Sequence, residues 1–348
     1  MVKAINPRAI DDDFLKEFLN GKLKNLLNVI QQDDSLIMCL RGSYTDVYYR
    51  SCCILEISQS LRFSVNKDYG IKLNQLTGAV NFSEDNWIKY FKFAKQLIDN
   101  HSFKKRTKNT DNSKNEERNK AYKLEKDIQQ LMFKENSYNN IANETDYFIF
   151  DIEYDNGEIV ENIDGQIKKS KPRFDAVAIC LPNYDRKCGK TSKTVNLALI
   201  ELKAGLNAIS EREEDAINEE NNKNGKKKKA ASLSDHYNDA ITFTKNTDKE
   251  KFLAEMKKVF KQMVDLGLIN IKASPDKISL NEKSEIEFIF VLTNYNDRSK
   301  KLAVALQKMD ENVSFKTYFA TSSFMGYGLY KECMISLSDM KQKYEDKI

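Results

Sequence analysis

The stretch Val195-Asn196-Leu197-Ala198-Leu199-Ile200-Glu201-Leu202-Lys203 decides the fold of this chain. Side chains alternate between the two faces of a β-strand, and both faces of this strand are mostly apolar. A strand of this kind lies in the middle of a sheet that is covered on both sides. Glu201 and Lys203 share a face with Leu199, so two charged side chains lie at the end of a stripe that should face a core.

A second strand is predicted at 174–181, where Asp175 opens the apolar run Asp175-Ala176-Val177-Ala178-Ile179-Cys180-Leu181. A carboxylate on such a buried strand is costly unless it is paired or bound to a cation. Two carboxylates that converge at one edge of a sheet favour a hard divalent ion with oxygen ligands and retained waters. We therefore predict a Mg²⁺ (or Mn²⁺) site formed by Asp175 and Glu201, with the main-chain carbonyl of Leu202 as a third candidate ligand.

Lys203 lies on the same strand face as Glu201, and together they suit chemistry on a phosphodiester. A bound divalent ion lowers the pKa of its water and stabilises charge on a phosphoryl oxygen. Lys203 would contact the scissile phosphate and orient or activate the water. Because it lies near so much negative charge, we expect it to stay protonated and to act electrostatically. The alternative is that Glu-x-Lys at a strand end is an exposed ion pair of little energetic value.

The composition excludes several other classes of protein. No apolar stretch approaches the length of a membrane span, and the N-terminus lacks a signal-peptide core, so we expect a cytoplasmic protein without a membrane partner. Six scattered cysteines form no Cys-x-x-Cys pair, and two histidines are too few for a multi-histidine metal site. The net charge of +4 is only a weak indication of a polyanionic partner.

The pattern along the chain predicts two domains. Residues 1–100 combine helical spacing at 11–30, strand-like runs at 35–61 and an amphipathic helix at 86–98, which indicates a small N-terminal α+β domain of unknown role. Residues 101–118 are polar and are interpreted as a linker, with phosphate contact as the alternative. Within the second domain, 119–348, residues 207–230 divide into an acidic and a lysine-rich part and are predicted to be a disordered loop.

The predicted order of elements along the second domain is helix, three strands, helices, strand, helix and strand. This order predicts an α/β (α+β overall) layer structure, in which helices flank a mixed central sheet. Ser234 is predicted to cap one helix, and Thr247 is predicted to open a capping box for the next.

Pro172-x-x-Asp175 together with Glu201-Leu202-Lys203 resembles the PD-(D/E)xK nuclease superfamily, which has the restriction-endonuclease-like fold. The resemblance covers roughly residues 119–322, and the predicted element order is similar to the αβββαβ core of that superfamily. One departure is that Arg173 and Phe174 separate the proline from Asp175, whereas the family motif has them adjacent.

The resemblance also implies further site residues. Glu125 matches a glutamate on the first core helix that completes or orients the metal site in many members, although an exposed helix charge is the alternative. Some branches carry a Gln or His with an aromatic residue on the helix after the lysine strand, where His236 and Tyr237 lie. For His236, the alternative is a helix-surface or capping residue.

The implied function is a Mg²⁺-dependent nuclease that hydrolyses phosphodiester bonds of DNA, an endonuclease of restriction, defence or mobile-element type. Residues 1–100 could then supply recognition, sensing or oligomerisation. A homodimer is also implied, because double-strand cutting by this fold commonly needs two active sites. Two alternatives stay open: a non-catalytic module that binds nucleic acid or protein on the same fold, and a nuclease directed at RNA, which nothing in the sequence separates from DNA.

Overall fold

The computed structural model describes residues 5–64, 83–100, 112–137, 144–157, 159–163, 166–182, 193–205, 209, 231–272, 274–293, 300–321 and 326–345. The loop predicted to be disordered at 207–230 lies outside the described residues, except for Ile209. Over the described ranges the protein is a mixed α/β structure, with eight α-helices, a four-stranded antiparallel sheet and a six-stranded mixed sheet. No helix in these ranges is both long enough and apolar enough to cross a membrane.

The N-terminal unit, here residues 5–64 and 83–100, begins with helices α1 (Asp12–Leu19) and α2 (Lys24–Gln32). Four strands follow in antiparallel order, namely β1 (Ile37–Leu40), β2 (Tyr44–Tyr49), β3 (Cys52–Ser58) and β4 (Phe63–Ser64). Helix α3 (Glu84–Asn100) then packs against α2. The helical spacing predicted at 11–30 is divided between α1 and α2, because the chain turns at Gly21, where a Cβ would lie 2.7 Å from the Cα of Glu17.

Helix α4 (Asn112–Glu135) begins inside the range predicted to be a linker. Its first residues, Asn112-Ser113-Lys114-Asn115-Glu116-Glu117-Arg118, include no apolar side chain, so no hydrophobic periodicity marks a helix there. Lys, Glu and Arg nevertheless have favourable helix propensities. The structure therefore has a helix over 112–118, and the rest of the predicted linker, 101–111, lies outside the described residues.

The second part of the chain supplies the larger sheet and its flanking strands. The strands are β5 (Tyr147–Asp155), β6 (Ile159–Ile163), β7 (Gln166–Ser170), β8 (Arg173–Cys180), β9 (Lys193–Thr194), β10 (Asn196–Ala204), β11 (Ile278–Ser279), β12 (Ile286–Thr293), β13 (Lys316–Thr321) and β14 (Ile335–Ser336). The six-stranded sheet has the order β14-β13-β12-β10-β8-β5, while β6 pairs with β7 and β9 with β11. The β6–β7 hairpin was not predicted from the sequence.

The central strand β10 pairs antiparallel with β8 and parallel with β12. All residues from Leu197 to Leu202 are buried, as expected for a strand covered on both faces. Helix α4 contacts β10. The covering helices that follow β10 are α5 (Leu233–Asn246), α6 (Lys249–Asp265), α7 (Lys300–Gln307) and α8 (Leu337–Tyr344).

Two helix caps differ from the predicted ones. The N-cap of α5 is Ser232, which forms a capping box with Asp235, whereas Ser234 lies within the first helical turn. The N-cap of α6 is Asp248, whose side chain accepts from the Lys251 N–H, and Thr247 is instead the C-cap of α5. The C-cap of α5 and the N-cap of α6 are adjacent residues, so sequence spacing alone did not resolve the boundary.

The N-terminal unit packs directly on the larger sheet and its helices. The side chain of Gln262 in α6 bonds to both the N–H and the carbonyl of Ile10, at 3.0 and 2.7 Å. Gln31 donates to the carbonyl of Leu266 at 2.6 Å. One cluster of buried hydrophobic side chains extends from Ile10 to Tyr344. The boundary between two domains at 101–118 stays a prediction.

Candidate active site at the ends of the central strands

Glu201 and Lys203 lie near the end of β10, and both are held by hydrogen bonds. Lys203 Nζ donates to Glu201 Oε1 at 2.6 Å, and His236 Nδ1 from α5 lies 3.0 Å from the same oxygen. Glu201 is only 3% exposed. Burial raises the pKa of Glu201, but Lys203 and His236 outweigh burial and hold that pKa at about 2. The Glu201 carboxylate is therefore a stable anion inside the protein.

Asp175 lies on β8 beside this group. The last paired residues of the two strands are Ala176 and Ile200, and beyond them the N–H of Leu202 donates to Asp175 Oδ2 at 2.7 Å. Burial raises the pKa of Asp175 well above its ordinary value, and the charge of Glu201 raises it further, although Lys203 lowers it. In the absence of a cation, the ionised form of Asp175 is thus destabilised.

The backbone of Leu202 faces β8 and the carboxylate of Asp175. The N–H and C=O of one strand residue point to the same neighbouring strand. Because the Leu202 N–H is directed to Asp175, its carbonyl oxygen is also on the β8 side of β10. The carbonyl of Lys203, in contrast, accepts from Thr293 Oγ1 on β12. The main-chain oxygen predicted as a ligand therefore lies on the side of the two carboxylates.

Helix α4 adds two residues, one of which was predicted. Glu125 is partly buried, and burial raises its pKa, with an opposing effect of the Lys203 charge and a further increase from Glu201, so Glu125 lies within electrostatic range of both. Gln129, one helical turn later, donates Nε2 to the main-chain carbonyl of Asp175 at 2.9 Å. The same Nε2 lies 3.3 Å from Glu153 Oε1. The i, i+4 spacing from Glu125 could have identified Gln129 from the sequence.

Three further charged residues that were not predicted as site residues lie at this edge, namely Glu153, Arg173 and Lys126. Glu153 on β5 has φ +54°, in the left-handed region that a glutamate rarely adopts. Arg173 Nε, from the first residue of β8, lies 3.4 Å from Glu153 Oε2. Lys126 Nζ lies 3.7 Å from the other carboxylate oxygen. Strand periodicity could not identify Glu153, because the β5–β8 register shifts between Ile149 and Asp151.

Tyr237 lies outside this group, contrary to the sequence-based expectation. Its hydroxyl donates to the carbonyl of Asp310, and its ring packs against Phe288 and Phe315. Successive helix residues are separated by about 100° around the axis, so His236 can face Glu201 while its neighbour faces the core. Of the predicted residues, the structure brings together Asp175, Glu201, Leu202, Lys203, Glu125 and His236.

The donors at this edge are oxygen atoms, which suit a hard divalent ion. Within the described ranges, no three or more His, Cys, Asp or Glu side chains form a preformed metal cage. Mg²⁺ needs no such cage, because it keeps several waters and is usually held by one or two carboxylates. The repulsion between Asp175 and Glu201 is the feature that a cation would relieve. The residues present therefore fit a Mg²⁺ ion.

Comparisons of the chain with protein-family models, with curated proteins and with solved structures gave no match.

Proposed function

We propose that this protein is a Mg²⁺-dependent nuclease that hydrolyses phosphodiester bonds of DNA. The observation that carries the proposal is the convergence of Asp175, Glu201 and Lys203 at adjacent strand ends. The Leu202 N–H links β10 to Asp175, and Lys203 is hydrogen-bonded to Glu201. Two carboxylates, a lysine and an inward-facing carbonyl in one place are the groups that metal-assisted phosphodiester hydrolysis needs.

The order of elements around the site supports a PD-(D/E)xK nuclease with a restriction-endonuclease-like fold. Helix α4 precedes β5, β8 and β10, which are neighbours in the sheet and pair antiparallel. Helices α5 and α6 then lead to β12, which pairs parallel with β10. Apart from the short strands β6, β7, β9 and β11, this order supports the αβββαβ core that the sequence resemblance implies.

Asp175, Glu201 and the carbonyl oxygen of Leu202 would hold the ion. When bound, Mg²⁺ would supply Lewis-acid stabilisation of charge on the phosphate and would activate water for attack. His236 and Lys203 both hold Oε1 of Glu201 and so fix the orientation of that carboxylate. Glu125 lies within electrostatic range of Lys203, whose pKa it helps to raise, and would help to orient the lysine.

Lys203 supplies a fixed positive charge. Burial lowers the pKa of Lys203, but Glu201 and Asp175 outweigh burial and raise the pKa above its ordinary value. The side chain therefore carries an ammonium group at neutral pH. A preorganised cation next to the reacting phosphate stabilises charge that develops in the transition state, and removing one such donor typically reduces the rate about 10²–10³-fold.

The test is to incubate the protein with linear, circular and single-stranded DNA and with RNA, in Mg²⁺ or in EDTA. We expect DNA cleavage in Mg²⁺ only, and a loss of about 10²-fold or more in Lys203→Ala. Lys316→Ala is the matched control, because Lys316 also pairs with a glutamate, Glu285 at 2.7 Å, but outside the site. Cleavage of RNA alone would redirect the proposal to RNA. Equal rates for wild type and Lys203→Ala would refute it.

A non-catalytic module that binds nucleic acid is the second candidate. It is favoured by one observation, which is that Oε1 of Glu201 already has two partners, Lys203 and His236. Such a module would bind DNA equally well in Mg²⁺ and in EDTA and would cleave none of the substrates above.

A further inference from the structure

Arg173 is an exposed cation at the edge of the proposed site. It lies two residues before Asp175 on β8, so the two side chains share a face of the strand. The Arg173 side chain is 61% exposed, whereas that of Lys203 is 11% exposed and is engaged with Glu201. A phosphate that approaches this group of carboxylates needs a cation that can reach it from the solvent side, and Arg173 is placed to do so.

The guanidinium of Arg173 contacts Glu153 through Nε, the nitrogen nearest the side-chain carbons. Its closest approach to Glu153 is through Nε, which lies 3.4 Å from Oε2. The terminal nitrogens of the guanidinium are the part that forms two parallel hydrogen bonds with a phosphate. A contact through Nε thus orients the group without occupying its outer edge.

Glu153 is itself fixed by the N-terminal unit. Arg8 Nη2 donates to the carbonyl of Glu153 at 3.1 Å, and Arg41 Nη2 donates to the carbonyl of Ile152 at 2.8 Å. Arg41 Nη1 also pairs with the buried carboxylate of Asp151. A left-handed φ at a glutamate persists only where surrounding contacts impose it, and such residues concentrate at functional sites.

We propose that Arg173 binds a phosphate of the nucleic acid beside the scissile one, and that Glu153 is the positioning residue that holds the Arg173 guanidinium for this contact. The inference rests on the proposed function, because it assumes a nucleic-acid substrate. It gives the N-terminal unit a role in building the site, through Arg8 and Arg41.

The experiment measures the affinity of full-length protein for a labelled DNA duplex in EDTA, by fluorescence anisotropy over a range of salt concentrations. Arg173→Gln should weaken binding about 10-fold and reduce the salt slope by about one. Lys171→Gln is the matched control, since Lys171 carries the same charge two residues away, is 66% exposed and also pairs with a carboxylate, Asp155 at 2.9 Å. It should weaken binding much less.

Glu153→Gln separates positioning from simple charge. Removing a negative charge near the DNA should tighten binding if only net charge matters. Positioning predicts the opposite, a weaker complex, and predicts that Arg173→Gln/Glu153→Gln binds no worse than Arg173→Gln alone. Glu153→Gly, which tolerates the left-handed φ, should weaken binding in the same way, so a folding defect in one variant does not decide the test.

The outcomes distinguish the two proposals. If wild type cleaves DNA but Arg173→Gln binds like Lys171→Gln, the phosphate contact is refuted and the nuclease stands. If Glu153→Gln and Glu153→Gly bind as tightly as wild type or more tightly, the positioning role is refuted. If wild type neither binds nor cleaves DNA or RNA, the proposed function fails and this inference fails with it.

Discussion

The main-chain N–H of Leu202 donates a 2.7 Å hydrogen bond to Oδ2 of Asp175 and so connects β10 to β8 beyond the last residues at which they pair. At this point the strands separate enough for a side chain, rather than a carbonyl, to accept from the backbone. The bond fixes one oxygen of Asp175 beside Glu201. The protein destabilises the ionised form of Asp175 and stabilises the ionised form of Glu201. Replacing each carboxylate by a neutral amide should therefore change the stability of the protein in opposite directions.

Asp175→Asn should stabilise the metal-free protein at neutral pH. In the unfolded chain an aspartate ionises near pH 4, whereas burial and Glu201 raise the pKa of Asp175 in the folded protein. Between these values the folded state retains a proton that the unfolded state loses, so stability falls as pH rises. We expect a gain of about 1–2 kcal/mol at pH 7–8 and none below about pH 4. Thermal unfolding in EDTA measures this, and a destabilised variant at pH 8 would contradict it.

Glu201→Gln should have the opposite effect. The pKa of Glu201 is about 2 in the folded protein and about 4.3 in an unfolded chain, so its carboxylate contributes stability above the unfolded value. That contribution declines as pH falls through this range. We expect a loss of about 1–3 kcal/mol at pH 7, with a smaller difference between the two proteins at pH 4. A loss that grows on acidification would show that Lys203 and His236 do not stabilise the anion.

Mg²⁺ should raise the stability of the wild-type protein. A ligand present at about ten times its Kd that binds only the folded state adds roughly 1.4 kcal/mol. Because Asp175 and Glu201 are the proposed ligands, the increase should be absent in the Asp175→Asn/Glu201→Gln double variant. Differential scanning fluorimetry over a Mg²⁺ titration is the measurement, and an equal increase in both proteins would place Mg²⁺ elsewhere.

Arg41→Met should destabilise the fold strongly. Arg41 pairs with Asp151, which is fully buried, and its loss leaves that carboxylate with the more distant Arg8, whose Nε lies 3.6 Å from Asp151 Oδ2. Breaking a buried ion pair by removing one partner typically costs about 3–5 kcal/mol. Arg50→Met is the matched control, since Arg50 pairs with the more exposed Asp127 and Asp99, and should cost about 1 kcal/mol or less. Urea denaturation of both variants measures the difference. Similar losses would mean that the buried Arg41–Asp151 pair contributes no more stability than the more exposed pairs of Arg50.

Thiol reactivity should follow burial. Burial raises the pKa of the thiols of Cys39 and Cys180 to about 12 and of Cys52 to about 11, so very little reactive thiolate forms at pH 8. Cys333 is exposed and should react first with a maleimide. Cys188 lies outside the described residues, so the test uses a Cys188→Ser background. Peptide mass mapping before and after urea then measures the order of labelling. Early labelling of Cys39 in native protein would contradict the packing of β1.

The sequence was most informative where burial has a simple period. The two-faced apolar pattern of β10 predicted a central strand, and the strand is buried on consecutive residues. Alternation also placed Glu201, Lys203 and Asp175 on strand faces that should be buried, and the apolar runs placed them near strand ends. The β6–β7 hairpin was not predicted. The first turns of α4 were also missed, because the residues there are polar and show no hydrophobic periodicity. Tyr237 was predicted together with His236 from the family resemblance, although a helix directs adjacent side chains differently.

By itself, the sequence predicted five of the six strands of the mixed sheet, all except β14, and the charged residues near the ends of its central strands, because hydrophobic period and strand alternation are local properties. Only the tertiary structure decided that Glu153 adopts a left-handed φ, that Arg8 and Arg41 hold the backbone there, and that Gln129 bridges Glu153 and Asp175. These contacts join residues that are distant in the chain, and Arg41 and Asp151 are 110 positions apart. Their geometry depends on how helices and sheets pack together, and no local pattern in the sequence encodes it.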